Sequence, residues 1–193
     1  MDKKRFKKYI SNGIFIAILA VLIFVPSAKA LLLQGLMQVG LFNPDVSSEK
    51  NVVQSSLDLK FKDQNGNIVS LNDLKGKVVF LNFWATWCPP CLAEMPSINK
   101  LYEQHKNNKD VAFIMLDADS NFEKANGYMK RKSYQMPVYQ MASSVPEQIF
   151  SGSLPTTVVF DKQGRLSFQH VGPANYTSQK FIDFIEKLRK SEQ

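Results

Sequence analysis

The sequence predicts an α/β fold, a central mixed β-sheet flanked by helices with a β-hairpin ahead of it. Three observations carry this. Val78-Val79-Phe80-Leu81-Asn82-Phe83-Trp84 and Val111-Ala112-Phe113-Ile114-Met115-Leu116 are nearly continuous apolar runs, as expected of central strands covered on both faces. Helical spacing follows, with Leu92, Met95, Ile98, Leu101 and Tyr102 after the first run and Phe181, Ile182, Ile185 and Leu188 near the end of the chain. Between them, Val158-Val159-Phe160, the turn Asp161-Lys162-Gln163-Gly164 and residues 166–171 give a terminal strand pair.

The chain has 193 residues, 45% of them hydrophobic, enough for one domain with its own core and an appendage. Of the net charge of +7, Lys3, Lys4, Arg5, Lys7 and Lys8 against Asp2 supply +4, leaving +3 for everything after residue 8. No cluster of Lys and Arg interleaved with aromatics occurs in the remainder, which excludes a nucleic-acid surface. The basic start leads into twelve uninterrupted apolar residues, 14–25, and then Pro26-Ser27-Ala28-Lys29-Ala30. This is an export signal. Pro26 and the Ala28-Lys29-Ala30 pattern suit cleavage after residue 30. A retained anchor is the preferred reading, because extending the span back to Tyr9 gives 17 residues, roughly 26 Å of helix, and Leu31-Leu32-Leu33 would be a sticky start for a free protein. The expected organisation is a signal peptide or membrane anchor over residues 1–30, an apolar stretch and polar tether over 31–53, and a domain over 54–193. Either reading places that domain outside the cytoplasm, anchored on the periplasmic side or exported and soluble, where disulfides persist.

Along the domain, residues 43–56 are polar and aperiodic and read as tether. Leu57, Leu59 and Phe61 alternate with polar residues, Asp63-Gln64-Asn65-Gly66-Asn67 turns, and Ile68-Val69-Ser70 resumes, a hairpin. Residues 71–74 form a short helical turn ended by Gly76, and 77–84 a buried strand. A helix then runs from Cys88 to about His105, kinked at Pro96. After the second buried strand comes a helix over 122–132, with Phe122, Ala125, Tyr128 and Met129 on one face. Its Lys130-Arg131-Lys132 is read as a solvated face, with a partner contact as the alternative. A closing helix spans 178–189, and His170 is an ordinary surface histidine.

The chemistry concentrates in Trp84-Ala85-Thr86-Trp87-Cys88-Pro89-Pro90-Cys91, which holds the only two cysteines of the chain. Cysteines at i and i+3 on a first helical turn are close enough to form a disulfide. Proline is accepted there because its missing N–H had no helical partner, so the helix is expected to begin at Cys88. Cys88 is then exposed at the positive end of the helix and attacks, while Cys91, one turn in, resolves. The two prolines remove amide donors, so thiolate stabilisation at Cys88 is moderate. A purely stabilising disulfide would remove little unfolded-state entropy across two intervening residues. Zinc needs about four ligands, and beyond the cysteines only His105 and His170 remain, far away in sequence.

The run from Phe83 to Cys91, followed by Leu92-Ala93-Glu94-Met95-Pro96, resembles the thioredoxin superfamily and specifically its exported TlpA/ResA-like thiol-disulfide oxidoreductases, over residues 57–188. The resemblance implies a thioredoxin-like fold with an inserted helix in the stretch up to about residue 145, no cofactor and no metal. It implies extracytoplasmic reduction of protein disulfides through Cys88 and Cys91, in relatives serving cytochrome c maturation. Disulfide-containing clients and a membrane electron donor of thiol type are the implied partners. Glu94 matches the glutamate of Cys-x-x-Cys-x-x-Glu-x-Pro that tunes the pair; a solvated early-helix carboxylate is the plain alternative. Trp87 and Pro155 are the other auxiliary positions. Leu154-Pro155 resembles the cis-proline that faces the cysteines and aims the Leu154 backbone at substrate, and Gly172 matches a glycine that leaves room for a bound chain. Asn82 departs from the buried aspartate of thioredoxins, and an amide hydrogen-bonds but takes no proton. A peroxiredoxin-like peroxidase and a thiol-based copper chaperone are the rival readings; Cys88 lacks the Pro-x-x-x-Thr/Ser-x-x-Cys pattern of the former.

Overall fold

The computed structural model describes residues 3–38, 40–46 and 58–191. Two helices come first, α1 (Lys3–Phe24) and α2 (Pro26–Gln38), meeting at an angle of 97°. The bend falls at Val25-Pro26, and proline opens α2 where a helix has no use for its N–H. Among the described residues no single helix is long and apolar enough to cross a membrane; the bent pair satisfies length and composition only with its two arms together. Leu57 and residues 47–56, part of the expected tether and hairpin, lie outside the described residues.

Among the described residues one mixed sheet of seven strands forms the body, in the order β2-β1-β5-β4-β3-β6-β7. The predicted hairpin is present as β1 (Lys60–Asp63) and β2 (Ile68–Ser70), joined by a turn in which Gly66 takes a positive φ of 85°. A single 3₁₀ turn, Asn72–Leu74, leads through Gly76 into β3 (Val78–Trp84), every residue of which is buried. Helix α3 (Pro89–His105), continuous through Pro96, connects β3 to its parallel partner β4 (Val111–Asp117). Then come α4 (Phe122–Arg131), β5 (Val138–Met141), β6 (Thr156–Phe160), β7 (Leu166–Val171) and α5 (Gln179–Lys190). Strand β5 is absent from the sequence reading. It is four residues long, follows Pro137 and carries no long apolar run, yet it pairs with β4 on one side and β1 on the other. The hairpin is thereby hydrogen-bonded into the main sheet.

Strand alternation separates two cores. Val78, Phe80 and Trp84 face a cluster built with Ile98 and Leu101 of α3, Tyr128 and Met129 of α4, and Phe181 and Ile185 of α5. Val79, Leu81 and Phe83 face the opposite cluster, closed by Leu59, Leu71 and Ile149. By the same alternation Asn82 belongs to the α3 face. In the antiparallel β3–β6 ladder Asn82 stands opposite Thr157, and Phe83 opposite Thr156. The start of β6, just after Pro155, is therefore set beside the end of β3, from which the cysteine motif emerges.

Helix α2 packs on α3. Ala30, Met37 and Ala93 are buried against one another, with Leu33, Phe42 and Leu92 around them. The end of this segment is pinned to the loop before α5: Asn175 N–H donates to the Phe42 carbonyl at 2.8 Å and its Nδ2 to the Met37 carbonyl at 3.3 Å. Met37→Ala is expected to remove about 2 kcal/mol of packing from this contact, the low end for a buried methionine because only one side of it is core. Native-state hydrogen exchange of the full-length chain checks this. Amides of α2 should exchange faster while those of β3 keep their protection; unchanged α2 exchange would mean that the contact contributes little.

Candidate functional site

The site begins where β3 ends. Ala85, Thr86 and Trp87 turn the chain, and Cys88 follows in extended conformation, φ −90° and ψ 101°, as the N-cap of α3. The helix starts at Pro89, one residue later than the spacing suggested, since Pro89 and Pro90 fit the first helical positions and leave Cys88 to cap. With both proline donors missing, the first free amide is that of Cys91, which donates to Cys88 Sγ at 3.3 Å. The two sulfurs are bonded to each other, 2.07 Å apart, with a Cα–Cα distance of 5.3 Å.

The expectation that Cys88 is exposed is corrected. Cys88 retains 3% of its surface and Cys91 none, both within the cluster that holds Trp84, Ala85 and Met95. The exposed residue at the tip is Trp87, at 63%, whose indole Nε1 donates to Asp119 Oδ1 at 2.7 Å. Asp119 belongs to the turn after β4, where Asp117 accepts the amides of Asn121 at 2.6 Å and Asp119 at 3.3 Å. Burial holds the Asp117 carboxyl above its usual range, opposed by those two amides. Nothing in the sequence singled out Asp119, which reads as turn composition alone.

Glu94 is not a solvated helix carboxylate. It lies three residues beyond Cys91 with no accessible surface. Asn82 Nδ2 donates to its Oε1 at 2.7 Å, and the Ala174 amide to its Oε2 at 3.3 Å. Burial raises its pKa to about 8, against the lowering effect of these two donors. The amide at position 82, where a carboxylate was missed, therefore serves a carboxyl supplied from α3. Its second N–H goes to Thr157 Oγ1 at 2.9 Å, and Thr157 is likewise fully buried. Ser97 ties the neighbouring loop to α3, its Oγ donating to the Glu94 carbonyl at 2.8 Å and accepting the Tyr176 amide at 3.2 Å. Thr157, Ala174 and Ser97 were missed by sequence reasoning. A hydroxyl inside the apolar run 156–160 was the one available signal, and only for Thr157.

The Leu154–Pro155 bond is cis. Pro155 is buried, and its carbonyl accepts the Gly172 amide at 2.9 Å. Gly172 has a φ of +103°, which strains any L side chain, and open space lies where its Cβ would stand. Leu154, half-buried, packs against the cluster containing both cysteines, and Val171 beside Gly172 is 54% exposed. Among the described residues no three His, Cys, Asp or Glu are grouped to hold a metal ion. His105 is buried with Nδ1 3.9 Å from Glu186, and His170 is half-buried on β7.

The disulfide thus stands at the N-terminus of α3, with a buried carboxyl one turn on. The family model described as Redoxin matches residues 44–183. The chain belongs to the Redoxin family. Within it the chain is a TlpA/ResA-like member of the thioredoxin superfamily. It is 36% identical over 127 residues to the thiol-disulfide oxidoreductase ResA of Bacillus cereus, covering 65% of this chain and 72% of that protein. The ResA of Halalkalibacterium halodurans is 31% identical over 137 residues, covering 70% and 76%. In fold it matches the thioredoxin domain of a thiol-disulfide oxidoreductase of Bacteroides vulgatus, with a TM-score of 0.58 at 19% identity over 72% of this chain and 99% of that one. A thiol:disulfide interchange protein of Chlorobium tepidum gives 0.55 at 23% identity, over 77% and 97%. This Redoxin-family chain is a protein thiol-disulfide oxidoreductase, and that family implies disulfide-containing client proteins.

The raised Glu94 carboxyl gives a signed expectation. The folded protein holds that proton up to about pH 8, whereas an unfolded chain releases it near the ordinary 4.5. Between those values the native state binds more protons, so this contribution is complete below pH 4.5 and is lost as pH rises through about 8. The loss should be on the order of a few kcal/mol in the oxidised protein, and Glu94→Gln should abolish the slope. Denaturant midpoints measured across this range decide; parallel curves for the two proteins would mean that Glu94 titrates normally.

Proposed function

We propose that the protein is an extracytoplasmic reductant of protein disulfides, working through the Cys88-Pro89-Pro90-Cys91 couple with Glu94 as the proton acceptor. The observation that carries this reading is the fully buried carboxyl on the same helix as the disulfide, three residues beyond Cys91. In the reduced protein the Cys88 thiolate, at the helix N-terminus and within reach of the Cys91 amide, attacks one sulfur of a client disulfide. A mixed disulfide forms and the client's other sulfur leaves as thiolate. Cys91 then gives its proton to the Glu94 carboxylate and attacks the Cys88 sulfur, releasing the second client thiolate and closing the Cys88–Cys91 bond. At neutral pH the closed form is then left with a protonated Glu94, in keeping with its raised pKa. Two electrons must return from outside, because the chain has no third cysteine to supply them; a membrane donor of thiol type fits.

In this reading Leu154, Pro155 and Gly172 form the groove along which the client lies, with Trp87 and Val171 exposed at its rim. Cytochrome c maturation is the process this reading favours, by likeness to the exported relatives. Residues 1–30 act as an export signal retained as a membrane anchor, with the domain over 54–193 on the periplasmic side. The apolar surface of α1 supports that assignment, with Phe15 63%, Ile16 64% and Phe24 81% exposed. Such surface is stable in water only when something apolar covers it.

Cys88→Ser is expected to abolish client reduction, and Cys91→Ser to accumulate mixed disulfides through Cys88. Non-reducing gels of acid-quenched cells read both, and equal trapping by the two variants would reverse the roles. Fractionated cells should retain the protein with the membrane after a high-salt wash; a soluble form whose mass begins at Leu31 would establish cleavage instead.

A further inference from the structure

We propose that Asn82 and Thr157 are positioning residues of the thiol–disulfide site, with Thr157 accepting the second Asn82 N–H and so holding the amide with an N–H toward Glu94. This rests on the reading of Glu94 as the proton acceptor for Cys91. Three facts of geometry carry it. Asn82 and Thr157 are opposite one another on antiparallel β3 and β6 and on the face covered by α3, and neither has more than a trace of accessible surface. Both hydrogens of Asn82 Nδ2 are taken, one by Glu94 Oε1 at 2.7 Å and one by Thr157 Oγ1 at 2.9 Å. The Asn82 Oδ1, by contrast, is buried with no partner among the described residues.

The last fact shows what selects the orientation. A buried amide oxygen without a donor is uncommon, and nothing at Oδ1 holds the group in place. The two N–H bonds alone do so. Turned over, the amide would direct its carbonyl at Glu94 Oε1, an arrangement that a carboxylate repels and only a protonated carboxyl accepts. A hydroxyl donates as well as accepts, so the Glu94 charge selects the N–H, and Thr157, by accepting the second hydrogen, holds the amide there, while the Ala174 amide at Oε2 is a fixed donor from the backbone. The other titratable groups facing this carboxyl are few. Helix α3 brings Cys91 and Cys88, and the loop before α5 brings the fully buried Tyr176 phenol, which burial and then the Glu94 charge hold well above its usual range, against the lowering effect of Thr157. Strands β3 and β6 contribute only Asn82 and Thr157, and no cation among the described residues acts on Glu94. In the resolving step the proton that leaves the Cys91 thiol is received by the Glu94 carboxylate. The Asn82–Thr157 pair therefore governs how readily that carboxylate is available.

The test uses the oxidised full-length chain in detergent micelles, in which no thiol titrates. The carboxyl ¹³C resonance of Glu94, assigned by its loss in Glu94→Gln, is followed against pH. Asn82→Leu is expected to move its midpoint upward by about one unit or more, the worth of a lost hydrogen bond to a charged group. Thr157→Val should move it upward by a smaller step, about half a unit, and Thr157→Ser, which keeps the hydroxyl, should restore it. Superimposable titrations of wild type and Thr157→Val would overturn the orienting role. The pH profile of client reduction by the same variants is the second readout. Profiles that move with the ¹³C midpoints support both claims. Shifted midpoints with an unmoved profile would leave the positioning intact and remove Glu94 as the proton acceptor. Should Asn82→Leu fail to fold, the wild-type side-chain amide of Asn82 is decisive: both protons should be protected from exchange and change shift at the Glu94 midpoint. An amide that exchanges freely would overturn the proposal.

Discussion

A carboxyl enclosed completely by protein, held by a 2.7 Å hydrogen bond from Asn82 and a longer one from the Ala174 backbone, is the constraint around which the site is arranged. Taking a carboxylate out of water is costly, and the two donors offset that cost only in part, so the group favours its proton to about pH 8. That balance depends on three elements staying in place. Strand β3 sets Asn82, α3 sets Glu94, and the loop before α5 sets Ala174. The loop in turn is fastened to α3 through Ser97. A shift of any one by an ångström would leave a buried polar group unpaired, which costs about 1–3 kcal/mol. Through the proposed role of Glu94, the chemistry of the cysteine pair is coupled to the packing of the sheet on its principal helix.

The same helix carries the disulfide at its start and receives α2 along its flank. Ala93, between Leu92 and Glu94, is buried beneath Ala30 and Met37, and Asn175, next to Ala174, holds the carbonyls at the end of the α2 segment. The segment ahead of the domain therefore touches the two elements that hold Glu94. On the other side of the motif, Trp87 is bonded to Asp119, so the exposed tip is held by the turn after β4. Cys88 itself presents a nearly closed surface, 3% exposed, with Leu154 packed on the cluster that contains it. Access of a thiol to the oxidised Cys88 consequently requires local movement at that surface.

The fold was largely legible because its signals are local. A strand buried on both faces must be apolar at every position, a helix must repeat its apolar residues every three or four, and a tight hairpin needs Gly or Asn at its turn. Residues 60–70, 78–84, 111–117 and 166–171 obey these rules, and the predicted elements stand there. The cysteine spacing likewise announced a disulfide, since i and i+3 are neighbours on any helical turn. Strand β5 escaped because its four residues are stabilised by partners on both edges and not by their own pattern.

By itself, then, the sequence determined the order of the domain's strands and helices apart from β5, the place of the reactive pair and the resemblance that identifies its class of chemistry. It also supplied Glu94 and Asn82 as residues whose types were informative. Only the tertiary structure decided that these two meet, 12 residues apart across a strand and a helix, and that Thr157, 75 residues from Asn82, and Ala174, 80 from Glu94, complete their surroundings. The burial of Cys88 and the docking of α2 on α3 belong to the same class. The physical reason is one of range. Periodicity and capping act over a turn or a strand, whereas burial and the pairing of polar groups depend on register between segments that sequence leaves far apart.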